Sequence, residues 1–201
     1  MQKILDVEKD LNKIAEILVY SKQLTYDSYF MLVTKTSTKF NIISRDKFLQ
    51  RIQKSFWILA IIELSKLFGP IEGNDKFSII LLIDNLKNAH SNSEWTNLIT
   101  DKELEKINSE FNTSEMKIHI KNLRELRNQH FAHADKNPKN HIHDIKFYFD
   151  NSIFLIEKLE KIITFLSEKL LNKPITFHNY KGEEMDSFFD KHINYIEGLS
   201  N

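Results

Sequence analysis

Five of the eight histidines, His119, His130, His133, His141 and His143, fall between positions 119 and 143, a stretch that also holds two of the four arginines, Arg124 and Arg127. Imidazole ordinarily titrates at about pH 6.5, so it can move a proton near neutrality. Guanidinium presents a planar fork of N–H donors that matches phosphate oxygens in pairs, which the ammonium of lysine does not. Together the two types suit phosphodiester cleavage without metal. The imidazole acts as general acid or base, and the guanidinium stabilises charge developing on the phosphorus oxygens. Between Lys117 and Lys146 seven Lys and Arg stand against three acidic residues, although the whole chain is balanced at 28 and 28. Phosphate is the natural partner of such a local patch.

The densest part of the stretch reads Arg127, Asn128, Gln129, His130, Phe131, Ala132, His133. This resembles the motif of the HEPN ribonucleases, in which an Arg is followed by a polar residue, commonly Asn, Asp or His, and then by a His after four to six intervening residues. Here five residues intervene. An Arg-Asn pair running into Phe131-Ala132-His133-Ala134-Asp135, with Phe56-Trp57 upstream leading to Glu63-Leu64, is similar to the HEPN branch associated with phage abortive infection. The resemblance covers roughly Lys47 to Leu170.

The resemblance implies an all-α, HEPN-like antiparallel helical bundle. Residues 1–201 then form one domain, with a core at about 45–171 and helical extensions at 1–44 and 172–201. It also implies a metal-independent endoribonuclease, a toxin or phage-defence effector that needs no cofactor and cleaves RNA by 2′-hydroxyl attack with a cyclic phosphate product. In that reading His133 is the acid/base, Arg127 stabilises the phosphate and Asn128 orients one or the other. His130, Arg124 and Glu63 support the site or bind substrate. The implied partners are RNA, a second copy of the chain completing a composite site, and an antitoxin or another defence component. Arg124 precedes His130 by the same interval, but Glu125 follows it where the family has an uncharged polar residue or an imidazole, so the Arg127 register is preferred. Some HEPN toxins are silenced by a nucleotidyltransferase that modifies a Tyr shortly after the catalytic His. This chain departs from that pattern, because Ala134 and Asp135 follow His133.

Each residue also has a plain structural reading. Arg127 continues the core-facing line Met116, Ile120, Leu123 and suits an ordinary ion pair. His133 suits a cation at a helix C-terminus, His130 a structural role, and Asn128 divides between site and surface. Glu63, between Leu59 and Leu67 on an apolar line, needs a partner or a cleft, and Arg127 is the obvious partner. His141 and His143 point apart on a helix, which argues against a metal pair, and Phe147, Tyr148 and Phe149 suit the core better than base stacking. The corresponding functional alternative is a HEPN-like bundle that binds a nucleotide or RNA without cutting it, or that only dimerises. Balanced net charge favours that alternative slightly.

Positioning these residues falls to helices, because four Gly and three Pro leave long uninterrupted stretches. Apolar spacing predicts helices at about 4–21 and 26–34, then a turn or weak helix end at 34–43 and an N-cap at Ser44. Next comes a helix from Arg45 to Phe68, with Phe48, Ile52, Phe56, Leu59, Glu63 and Leu67 on one face and a stop at Gly69-Pro70. Further helices follow at 76–89, capped by Asn74 or Asp75, at 101–111, from a Thr113 or Ser114 cap to about His133, at about 141–171, and at 183–197. Residues 94–99 form a short helix at most. Six positions along one helix turn a side chain through about 600° and carry it about 9 Å, so a lone helix does not pair Arg127 with His133. Either the helix breaks before His133 or, as the resemblance implies, two chains meet about a two-fold axis.

The absence of Cys excludes disulfides, thiolate metal sites and a thiol nucleophile. The first residues carry Lys3, Asp6, Glu8, Lys9 and Asp10 among apolar ones, unlike a signal peptide, and the longest apolar runs, 56–62 and 77–83, are far below the roughly 20 residues of a membrane span. The expectation is a cytoplasmic protein without a membrane partner.

Overall fold

The computed structural model describes residues 4–33, 37–69, 77–132 and 145–199. Among these the chain is all-α, with no strand. The helices are α1 (Ile4–Val33), α2 (Ser37–Arg45), α3 (Lys47–Lys66), α4 (Ile79–Asn88), α5 (Asp101–Phe111), α6 (Ser114–Ala132), α7 (Ile145–Leu171) and α8 (Glu183–Leu199), with a 3-10 turn at His90–Asn92 between α4 and α5. No helix among the described residues is long and apolar enough to cross a membrane.

One large apolar cluster joins α1, α3, α4, α5, α6 and α7. In it α1 packs against α3 and α7, α6 lies against the same two helices, and α4 packs on α5. The segment expected as an N-terminal extension therefore lies within the main core, where it buries Leu11, Ile14 and Leu18. A smaller cluster of Met31, Ile43 and Phe189 joins α1, α2 and α8.

Two helices expected over 4–34 are one. Nothing between Ser21 and Tyr26 breaks a helix, and the polar residues there are satisfied in place. Ser21 and Thr25 donate their hydroxyls to the carbonyls of Ile17 and Ser21, at 2.7 Å each. The buried Lys22 ammonium donates to Glu160 Oε1 on α7 at 2.7 Å and to the carbonyl of His178 at 2.9 Å. Lys22 is thus a cross-link from α1 to α7 and to the segment that leads into α8.

Helix α2 takes up residues 37–43 of the stretch 34–43 that was expected as a turn or weak helix end, together with Ser44 and Arg45. It is tied to α8 by the buried Lys39, whose ammonium lies 2.6 Å from Asp190 Oδ1 and also pairs with Asp186. The cap of α3 is Asp46 rather than Ser44. Its carboxylate accepts from the amides of Phe48 at 2.7 Å and Leu49 at 3.1 Å, whereas Ser44 donates back to Asn41.

The buried face of α3 is also not the expected one. Trp57, Ile61 and Leu64 enter the main core, with Leu67 beyond the helix end, and Ala60 is buried beside them. Phe48 is 61% exposed and Leu59 38% exposed. Ile52 and Phe56 pack on the small cluster instead. Residues 56–62 are apolar all round the helix, so periodicity could not choose the inner side, and packing against α1 did.

The helix expected from Lys76 is described from Ile79, with Ser78 at the N-cap position and its hydroxyl donated to the Gly69 carbonyl at 3.0 Å. Asn74 and Asp75 lie outside the described residues. Helix α5 matches its expected bounds, and Thr100 and Glu103 close a capping box around its first turn.

Glu103 also meets Lys169 of α7 at 2.8 Å. The Lys169 ammonium, and after it the backbone and hydroxyl of Thr100, hold the Glu103 carboxyl down to about 2. A folded-state value below the ordinary one means that ionised Glu103 contributes stability above its usual range, and that this is lost as pH falls through about 2. Glu103→Gln should therefore be less stable than the parent at pH 7, and the gap should close on acidification. Urea midpoints measured between pH 7 and pH 2 check this, and a gap independent of pH would contradict it.

Candidate functional site

Helix α6 carries the residues singled out above, so its orientation decides what they can do. Thr113 caps it by accepting from the amide of Met116 at 3.3 Å. Met116, Ile120 and Leu123 are buried, as the apolar spacing predicts, and Leu126 is buried beside them. The helix is unbroken from Ser114 to Ala132, so no break separates Arg127 from the residue before His133.

Arg127 and Asn128 therefore occupy consecutive positions in the C-terminal half of α6, about 100° apart around the axis. Arg127 is half-buried, beside the core-facing line, and is engaged in an interaction. Asn128 is exposed. His130 lies on the same helix. His133, His141 and His143 lie outside the described residues.

Arg124 and Glu63 have partners of their own. One guanidinium nitrogen of Arg124, Nη2, donates to the carbonyl of Phe68 at 2.8 Å, just past the end of α3. Carbonyls there lack helical partners, and a cation beside them is favourable, so Arg124 fastens the middle of α6 to the end of α3. Glu63 is half-buried at the edge of the apolar face of α3, and its carboxylate pairs with Lys66 one turn along the same helix, at 2.6 Å. This ion pair within α3 gives the half-buried carboxylate a partner on its own helix.

Two constellations escaped the sequence reading. On the α7 side of α6, His119 Nδ1 lies 2.7 Å from Asn151 Oδ1, and Asn122 Nδ2 donates to the same oxygen at 3.2 Å. Asn151 Nδ2 returns a bond to the His119 carbonyl at 3.1 Å. The His119 ring also stacks on Phe154, with centroids 4.0 Å apart. His119 was visible as one of the clustered histidines, but nothing in the sequence links it to an asparagine 32 positions away. Nearby on α7, Tyr148 packs on the main cluster, in keeping with its expected core role, and the half-buried Phe149 stacks on Tyr29 with centroids 3.6 Å apart. The side chain of Phe147 lies outside the described residues.

The second constellation is a concave region of about 190 Å³ between α1, α7 and the start of α8, lined in part by Lys22, Glu160, His178 and Tyr180. Tyr180 donates its hydroxyl to Asp27 at the edge of this region. Burial and then the Asp27 carboxylate push the Tyr180 phenol far up, and burial raises Asp27. Such a phenol keeps its proton and serves as a structural donor, not as an acid near neutrality.

The chemistry available at the end of α6 is thus a half-buried guanidinium next to an exposed amide, on a helix fastened to α3 and leading into His133. No protein family, no curated protein and no solved structure matches this chain.

Proposed function

We propose that the chain is a metal-independent endoribonuclease of the HEPN kind, working as a toxin or phage-defence effector inside the cell. The observation that carries this reading is the Arg127–Asn128 pair on the unbroken C-terminal half of α6, running directly into His133. Because the helix continues through Ala132, the site is composed from two copies of the chain about a two-fold axis, which bring two guanidinium groups and two imidazoles to one phosphodiester.

One His133 takes the proton of the 2′-hydroxyl, and the 2′-oxygen then bonds to phosphorus. The other His133 gives a proton to the departing 5′-oxygen, leaving a cyclic phosphate. Arg127 bears the charge that develops on the non-bridging oxygens, and Asn128 orients the phosphate or the imidazole.

The test is RNA cleavage by the purified protein in excess EDTA, with cyclic phosphate ends on the upstream fragment. Cleavage that chelation removes would reject the mechanism. A second reading, a bundle that binds RNA or a nucleotide without cutting it, is favoured by the internal commitments of Arg124 and Glu63. Stable RNA binding without cleavage across varied substrates would support it instead.

A further inference from the structure

The neutral His119 ring has a single tautomer. Its carbonyl oxygen can only accept, so the Asn151 atom 3.1 Å from it is the amide nitrogen Nδ2, and Oδ1 is the atom that faces the ring. That oxygen has no hydrogen. It lies 2.7 Å from His119 Nδ1, so Nδ1 must be the donor, and in the neutral ring the lone pair then belongs to Nε2. Asn122 Nδ2 takes up the other side of the same oxygen. Stacking on Phe154, at 17° between planes, leaves the ring one orientation.

Nε2 is accessible. Among the described residues no buried side-chain nitrogen or oxygen lacks a partner, and Nε2 of the half-buried His119 makes no hydrogen bond there, so it is not sealed from solvent. The Lys158 ammonium stands 5.7 Å from the centroid of the Phe154 ring, beside the same patch. The patch therefore offers an oriented acceptor and a cation, on the helix that carries Arg127.

We propose that Nε2 of His119 accepts a hydrogen bond from a donor on bound RNA, a 2′-hydroxyl or a base amine, at a nucleotide next to the one held by Arg127. This rests on the RNA reading above. Eight residues of α-helix place His119 about 12 Å along the axis and about 80° around it from Arg127, so within one chain the two serve neighbouring nucleotides and not a single phosphate. Lys158 then meets a flanking phosphate. His119 is a subsite residue, distinct from the acid/base pair.

Two measurements test it on the full chain with a short single-stranded RNA and the DNA of the same sequence. His119→Phe keeps a ring on Phe154 and removes the acceptor, so RNA affinity should fall about three- to tenfold, the loss of one neutral hydrogen bond. If the donor is the 2′-hydroxyl, DNA binding is unchanged by the substitution; if it is a base amine, DNA binding weakens in parallel. In the parent protein, long-range proton–nitrogen NMR should show an Nδ1–H ring whose Nε2 resonance moves when RNA is added. This second measurement also stands if the variant folds poorly. An Nε2–H ring, an Nε2 signal that RNA leaves in place, or a folded His119→Phe with unaltered RNA affinity would overturn the subsite while leaving cleavage at Arg127 intact. A parent protein that neither binds nor cuts RNA would overturn both.

Discussion

Arg127→Ala should lower the rate of RNA cleavage in EDTA by about 10²–10³-fold, the range seen when one preorganised donor to a developing oxyanion is removed. The loss should fall on kcat more than on KM, because the guanidinium is asked to do most where phosphorus carries its greatest charge. Arg127→Lys should recover only a small part, since an ammonium keeps the charge but not the fork. His133→Ala should be at least as damaging, because no other group in this reading transfers the proton. In a two-fold composite site the two defects need not add, and mixing the inactive variants should restore little activity, because each hybrid site still lacks one group of each kind. Since Arg127 is half-buried and engaged, the comparison requires melting curves alongside the rates. An Arg127→Ala protein that melts like its parent and still cuts RNA at the parent rate would end the enzymatic assignment.

The largest stability effect is expected far from that site. Trp95 is fully buried, in a stretch of turns between α4 and α5 where the sequence predicts little regular structure. Its indole Nε1 donates to the carbonyl of Leu86 at 3.2 Å, near the end of α4. One side chain thus fills the core and satisfies a carbonyl at a helix end. Trp95→Ala should cost about 3–5 kcal/mol, the usual range for truncating a buried Trp to Ala. For a chain of this size that corresponds to a Tm lower by roughly 6–20 °C. Trp95→Phe keeps most of the ring volume and loses the hydrogen bond, so it should cost about 1 kcal/mol. Near-parental melting of Trp95→Ala would mean that the 90–99 segment does not pack as described.

The two predictions probe different links of the same chain of causes. Trp95 anchors the connection between α4 and α5, which precedes the Thr113 cap of α6. Arg124 then fastens α6 to the end of α3. Loss of Trp95 should therefore lower activity only through unfolding, in step with the melting curve. Loss of Arg127 should lower activity with the fold intact.

Two helix boundaries were legible from local signals. Thr113 marked the start of α6 and Gly69 the stop after α3, because capping and chain reversal depend on residues within one turn. The unbroken α1, the existence of α2 and the inner face of α3 were not legible. Each depends on a distant partner: Glu160 for Lys22, Asp186 and Asp190 for Lys39, and helix α1 for Trp57 and Leu64.

The candidate site divides along the same line. Residue type and spacing alone put Arg127, Asn128 and His133 in succession, and helix geometry alone argued that one chain does not pair the first with the last. Only the tertiary structure assigned Arg124 to the carbonyl of Phe68 and Glu63 to Lys66, and brought Asn151 to His119. The reason is one of range. Caps, periodicity and motif spacing act over a few residues and are written into neighbouring letters, whereas the partner of a buried charge or a ring nitrogen is whichever group packing carries to it from elsewhere in the chain.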